Sequence, residues 1–340
     1  MAFATGWSKR RGWRSLYLTL LGGFIGLVLP LLFTTPSHRY LLVLIGINVI
    51  LVTGLDLLIG YTGLISLGHG GFWGIGAYTS ALLVKQAGVP FLWGLLAAGG
   101  VAALCGAFIG YPSLRLRGHY FVVITFITAI VVNLLFTNLV GLTRGPMGIP
   151  AIPFATVGLP GLFPYRFNPF RSTISYYYLV LFFVFSVLAV KTWIVRSRFG
   201  RALVAIREDE DLAQSIGVPT HRYKVIIFAI ATGFAGIAGS LYAHYMTVIS
   251  PDAFTFVTSF NLFVMNLVGG AGTLLGPIVG PVALTLVQEV ARIFSPVGAE
   301  IAFGVFLIVT IIFLPQGIVG GLRAFWVRRS PRAGGVSRGA

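Results

Sequence analysis

Ten apolar segments recur along this chain, at roughly 16–33, 40–59, 63–84, 91–111, 119–140, 176–195, 223–248, 257–271, 275–292 and 300–318. A helix needs about 20 mostly apolar residues to cross the hydrocarbon core of a bilayer, and most of these segments approach that length. In lipid, backbone polar groups must be satisfied inside the protein, which leaves helices or a closed barrel. Runs such as Tyr176–Val190 lack the alternation of a barrel strand. Only 9% of the residues are charged, against roughly 25% in a soluble domain. The chain therefore reads as an all-α polytopic membrane protein with about ten transmembrane helices.

The net charge of +16 would suggest nucleic acid in a soluble protein. In a membrane protein, basic residues instead set the orientation, and no nucleic-acid partner is expected. An even number of spans puts both termini on one side. That side receives Lys9, Arg10, Arg11, Arg14, Arg115, Arg117, the six basic residues of Arg196–Lys224 and five in the tail, seventeen of the 24 Lys and Arg. The positive-inside rule places this side in the cytoplasm. The expected plan is a basic cytoplasmic N-terminus (1–15), a transmembrane body (16–322) and a basic cytoplasmic tail (323–340). Within the body, 141–175 forms an external loop and 196–222 a cytoplasmic one. The apolar segment after the basic N-terminus is followed by TTPSHR, with no small-x-small cleavage site, so it reads as an uncleaved first helix. The expected location is the plasma (inner) membrane. The lone cysteine, Cys105, lies in an apolar run and reads as a small packing residue.

Five spans per half is odd, so two repeats would run in opposite directions through the membrane, a transporter architecture. Glycines break the third segment of the first half, at Gly60–Leu82, and a stretch of the second half, at Asn266–Pro281. Two readings stand side by side. Broken segments at matching positions point to a pathway at the repeat interface. Small residues also let helices pack closely. Pathway candidates are Ser66, His69, Tyr78, Asn261 and Asn266. The blander reading of His69 is a hydrogen bond to a nearby carbonyl, and that of the two asparagines is interhelical bonding. Ionisable residues inside the spans are few: Asp56, His69, Lys191, His244 and Glu289. Asp56 and Glu289 are the only carboxylates available for ion coupling, which argues against a pump that works alone. There is no P-loop, HExxH or CxxC, so no catalysis, cofactor or metal is expected of this chain.

The charge concentrates in Arg196–Lys224. Four of the eight acidic residues, Glu208, Asp209, Glu210 and Asp211, form one run there. Asp209 is a good N-cap, and Glu210 and Asp211 suit the first turn of a helix. Gly217 and Pro219 then stop it. The spacing predicts a helix over Glu210–Ile216, with a preceding turn at Gly200–Ile206. Leu203, Ile206, Ala213 and Ile216 supply apolar contacts. A helix this short is marginal alone and must pack against something, which suggests that the stretch docks another protein.

Several motifs at consistent spacing resemble ABC-importer permeases for branched-chain amino acids, the subunit type paired with a second homologous permease. They are the glycine-rich Gly60–Leu82, Leu114–Tyr120, SRFGRA at 197–202, IREDE at 206–210, YAHY at 242–245, SPD at 250–252 and LPQG at 314–317. The resemblance runs from about Tyr40 to Gly321. It implies an ATP-driven, binding-protein-dependent importer for branched-chain or other hydrophobic amino acids. Relatives that carry amides or urea give the alternative substrates, and a stand-alone secondary transporter is the other alternative. The implied partners are a second permease, two cytoplasmic ATPase subunits that use ATP and Mg, an external solute-binding protein and the bilayer. The stretch before the seventh span resembles the segment that seats in the ATPase. That assigns ATPase coupling to Arg201, Arg207, Glu208, Asp209, Glu210, Asp211, Ala213 and Gly217. Leu212 departs from the usual alanine of that motif, and Asn261 stands where an acidic residue is common.

Overall fold

The computed structural model describes residues 26, 30, 35–116, 119–159, 162–167, 173–294, 296–314 and 316–322. The first apolar segment falls almost entirely outside them, as do the basic N-terminus and tail. The other nine apolar segments lie on helices: α1 (Pro36–Thr62), α2 (His69–Gln86), α3 (Phe91–Ser113), α4 (His119–Asn138), α5 (Thr173–Arg196), α8 (Thr220–Met246), α9 (Phe256–Gly269), α10 (Gly276–Phe294) and α11 (Pro296–Phe313). Between α5 and α8 stand two short helices, α6 (Arg198–Glu208) and α7 (Glu210–Ser215). Among the described residues, five helices, α1, α3, α4, α5 and α8, are long and apolar enough to cross a membrane.

Two helices form the centre. About two thirds of α1 (67%) and of α8 (61%) is buried within the protein, against 28% of α3, α4 and α5. The outer helices turn apolar side chains outward, with Leu104, Phe108 and Trp193 among the most exposed. That pattern is inverted for water and natural for lipid. α8 packs against α2 and α3, and α1 packs against α5, α10 and α9. Glycine permits the closest of these approaches. A Cβ on Gly76 of α2 would overlap the backbone of Gly236 on α8, so the helices meet main chain to main chain. Lipid supplies no hydrophobic drive between helices, so close packing of this kind holds them together.

The ends of the helices sort into two groups. At one end, α6 lies beside the end of α1, which in turn lies against the turn at 270–275. At the other, the isolated bridge Ile149–Ile249 joins two loops, and Ile152 N–H donates to the Thr247 carbonyl at 2.8 Å. His244 Nδ1 lies 2.6 Å from the Pro153 carbonyl at that same end. Here the structure departs from the all-α expectation. Residues expected as loop pair as an antiparallel hairpin, β1 (Ala155–Leu159) and β2 (Leu162–Phe167).

A second departure concerns the glycine-broken segments. The first break falls where expected, at 63–68, before α2. The second glycine-rich stretch breaks no helix at its middle: 270–275 separates α9 from α10. Another irregular stretch, 247–255, follows α8. α1 and α8 are both 27 residues long and both end on a left-handed residue, Gly63 (φ 71°) and Thr247 (φ 59°). Each is followed by an irregular stretch and then a shorter helix.

Gly236→Leu, which drives a side chain into the Ala98 carbonyl and Ala102 of α3, is expected to destabilise the protein by about 1–3 kcal/mol. At the exposed Gly100 an added Cβ meets nothing within 4 Å, and Gly100→Ala should cause no loss of stability. Thermal unfolding in detergent distinguishes the two.

Candidate functional site

The charged stretch folds largely through its own local signals. Ser197 caps α6, its hydroxyl accepting from Gly200 N–H at 3.2 Å. Asp209 caps α7, its carboxylate accepting from Leu212 N–H at 2.9 Å. Glu210 and Asp211 occupy the first turn. Gly217 takes a left-handed φ of 87°; its N–H reaches the Gln214 carbonyl at 3.0 Å, and Val218 N–H reaches that of Ala213 at 3.1 Å. This pair of bonds is the Schellman ending that glycine favours. The expected turn at Gly200–Ile206 proves to be the longer α6, and α7 stops at Ser215.

Leu203, Ile206 and Ala213 are buried, as their apolar character requires. Ile216 is not: it is 72% exposed, and Leu212 is 62% exposed. Of the four residues expected to supply apolar contacts, Ile216 therefore makes its contact outside the chain or not at all. α7 is held by its inner face and by an ion pair between Glu210 and Lys224, and it turns two large apolar side chains outward.

Arg207 anchors the segment to the bundle. One guanidinium nitrogen donates to the Gly60 carbonyl at 2.6 Å and another pairs with Glu208, also at 2.6 Å. Arg201 and Gln214 lie exposed.

One turn before Gly60 lies a feature that the sequence reading missed. Asp56 and Lys191 are both wholly buried, and Lys191 Nζ lies 2.6 Å from Asp56 Oδ2. The second carboxylate oxygen, Oδ1, accepts from Gly272 N–H at 2.7 Å. Lys191 also donates to the Thr273 carbonyl at 3.0 Å. The carboxylate and ammonium thereby tie α1, α5 and the 270–275 turn together. A signal for this pairing exists in the sequence. Asp56 lies six residues from the end of α1 and Lys191 five from the end of α5, so opposite charges stand at similar depths.

The pathway candidates are placed as follows. Ser66 and His69 are fully buried at the break before α2 and at its first residue. Neither ring nitrogen of His69 has a hydrogen-bond partner among the described residues, so the expected carbonyl contact is absent. The Asn266 amide on α9 is buried and likewise unpartnered, while Asn261 is partly exposed. α2 and α9 meet directly, Gly70 N–H donating to Ser259 Oγ at 2.8 Å. Tyr78 stands apart, about 13 Å along α2 from His69 at 1.5 Å per residue. Its ring stacks on Phe136 at 4.4 Å, and its hydroxyl has no partner among the described residues. A shallow groove of about 340 Å³ between α3 and α8 is lined by Leu96, Gly99, Ala103, Gly233 and other apolar residues. It carries no polar group suited to hold a solute.

Membrane-length helices around two buried central helices, with a capped polar segment at one end, mark a polytopic helical membrane protein. Residues 37–314 match the family described as branched-chain amino acid transport system, permease component. The chain belongs to this family. It is similar to the high-affinity branched-chain amino acid transport system permease protein LivM of Escherichia coli, 35% identical over 80% of this chain and 68% of that protein. It is also similar to LivH of Salmonella typhimurium, 27% identical over 80% of this chain and 90% of the relative. BraD of Pseudomonas aeruginosa, another permease of that description, is 28% identical over 80% and 91%. No solved structure matches the chain.

Asp56→Ala leaves the Lys191 ammonium buried without its partner and is expected to destabilise the protein by about 3–5 kcal/mol. Glu208→Ala removes an exposed pair and should shift stability by less than about 1 kcal/mol. Denaturation of the two purified variants side by side checks the contrast.

Proposed function

We propose that this chain is one of two homologous pathway subunits of an ATP-driven, binding-protein-dependent importer in the plasma (inner) membrane. The solutes are branched-chain or other hydrophobic amino acids. The relatives' names support the substrate class, and the likeness to both LivM and LivH supports a paired permease. The observation that carries the coupling role is α7. It is too short to stand alone, yet it is capped at both ends, tied through Glu210 to Lys224, and presents Leu212 and Ile216 outward. Such a surface fits a groove on an ATPase subunit, flanked by the charges of Arg201, Glu208 and Asp211.

In this reading the α6–α7 end of the bundle faces the cytoplasm, with both chain termini. The stretch 141–175 at the other end receives the external solute-binding protein. The ten spans form two inverted repeats. The crosswise packing of α8 on α2 and α3, and of α1 on α9 and α10, supports that symmetry, as do the equal lengths and left-handed ends of α1 and α8. The chain itself binds no ATP or Mg; its partners hydrolyse the nucleotide. ATP-driven movement of the ATPase pulls on α7, which tips the two permease subunits between inward- and outward-facing states. That requires α7 to make different contacts in the two states. Ser66, His69, Asn261 and Asn266 are the candidate pathway residues, with Tyr78 nearer the external end.

The test is reconstitution of the full complex in proteoliposomes with radiolabelled leucine. Leucine is expected to accumulate only with ATP inside and binding protein outside. Gly217→Val, which forces a branched side chain into a left-handed position, and charge reversal of Glu208–Asp211 are each expected to cut uptake at least tenfold with membrane insertion intact. Accumulation by this chain alone, driven by an ion gradient, would replace the importer by a secondary transporter. Normal uptake by both variants would remove the docking role of α7.

A further inference from the structure

We propose that Asp56 and Lys191 are positioning residues that carry movement of the α6–α7 segment to the 270–275 turn, and through it to α9. This rests on the importer reading above and adds the route by which that movement enters the bundle.

The route is a run of direct contacts. Arg207 of α6 donates to the Gly60 carbonyl at 2.6 Å. Gly60 lies four residues after Asp56 on α1, so the two share a face of the helix. The backbone of Gly60 is pressed on that of Gly272: a Cβ on Gly60 would overlap the Gly272 main chain and sit 2.8 Å from Asp56 Oδ1. Asp56 Oδ1 takes the Gly272 N–H, Oδ2 takes Lys191, and Lys191 holds the Thr273 carbonyl. The turn is thus gripped through its N–H by one charge and through its carbonyl by the other. Its own bonds are few. Thr273 Oγ1 donates to the Gly270 carbonyl and accepts from Gly276 N–H, and Gly270 and Gly272 both take positive φ.

Beyond the turn, α9 carries the unpartnered Asn266 amide and holds Gly70, next to His69, through Ser259. A displacement of α6 therefore reaches α9 through direct contacts, the glycine turn on the way being held by the ion pair. Burying two charges gains little stability over two apolar residues of similar volume. What the pair supplies here is direction: it grips one N–H and one carbonyl of a glycine turn that apolar side chains cannot hold. Ionisable residues inside a membrane protein mark functional positions more often than structural ones.

A merely structural pair and a positioning pair respond differently to replacement by apolar residues. The test uses the full complex in proteoliposomes, reading leucine accumulated per ATP hydrolysed together with thermal stability. The variants are Asp56→Leu with Lys191→Met, Arg207→Gln, and all three changes combined. The pair variant is expected to assemble and melt within a few degrees of the parent complex, yet to accumulate about tenfold less leucine per ATP. Arg207→Gln is expected to lose about as much, and Arg207→Lys, which keeps a donor, to recover most of it. Because one route carries both effects, the combined variant should lose about tenfold and not a hundredfold. Parent-level coupling in the pair variant, or a hundredfold loss in the combination, would overturn the assignment. Should the pair variant fail to assemble, Asp56→Glu takes its place. It keeps the charge, displaces the carboxylate from Gly272 by one methylene, and faces the same criteria. Failure of the importer reading looks different: the parent complex itself would then accumulate leucine without ATP.

Discussion

A carboxylate and an ammonium buried in a chain surrounded by lipid must satisfy each other, because no water is present to do so. Asp56 and Lys191 meet that requirement, and the rest of one end of the molecule is arranged around them. Their spare hydrogen-bonding capacity is spent on the 270–275 turn, one bond to Gly272 N–H and one to the Thr273 carbonyl. Two central features of the fold, the end of α1 and the entry to α10, are fixed relative to each other at this point. The Arg207 anchor lands one helical turn away. An interaction that contributes little net stability thereby sets where the charged segment joins the membrane body.

The body itself is held by different physics. α1 and α8 sit at the centre and make their closest contacts through glycine and alanine, with α8 fitting against α2 and α3 at Gly76, Ala98 and Gly236. Backbone-to-backbone packing leaves few voids and makes the helix pairs move as units. The breaks at 63–68 and 247–255 supply irregular backbone inside this otherwise helical body. His69 at the start of α2 and Asn266 on α9 are buried polar side chains without partners among the described residues, and the two helices meet at Gly70 and Ser259.

Much of this was legible in the sequence, for identifiable reasons. Nine apolar segments fell on helices because lipid selects composition strongly over a whole span. The caps of α7 at Asp209 and Gly217 were legible because they depend on neighbours two or three residues away. The pairing of Asp56 with Lys191 was not, because nothing local links residues 135 apart; only their matched depth hints at it. Which of the four apolar residues of the charged stretch face outward was not legible, because an apolar residue beside a short helix reads the same whether it faces its own chain or a partner. The hairpin at 155–167 carried a turn signal, Pro160-Gly161 in the sequence, that was passed over among the many Pro and Gly of the external stretch. That 270–275 falls between two helices was not legible, because glycine content alone does not separate a broken span from the turn between two spans.

The central claim is that α7 and the 270–275 turn move as one body when nucleotide binds. Spin labels at Gln214 on α7 and Ala271 in the turn, both exposed, test this in the full complex by pulsed dipolar distance measurement. A third label at Asp252 marks the opposite end. The account predicts that the Gln214–Ala271 distance keeps a single value with and without ATP, while the distance from Ala271 to Asp252 shifts. A Gln214–Ala271 distance that changes with nucleotide, with Ala271 to Asp252 constant, would contradict it.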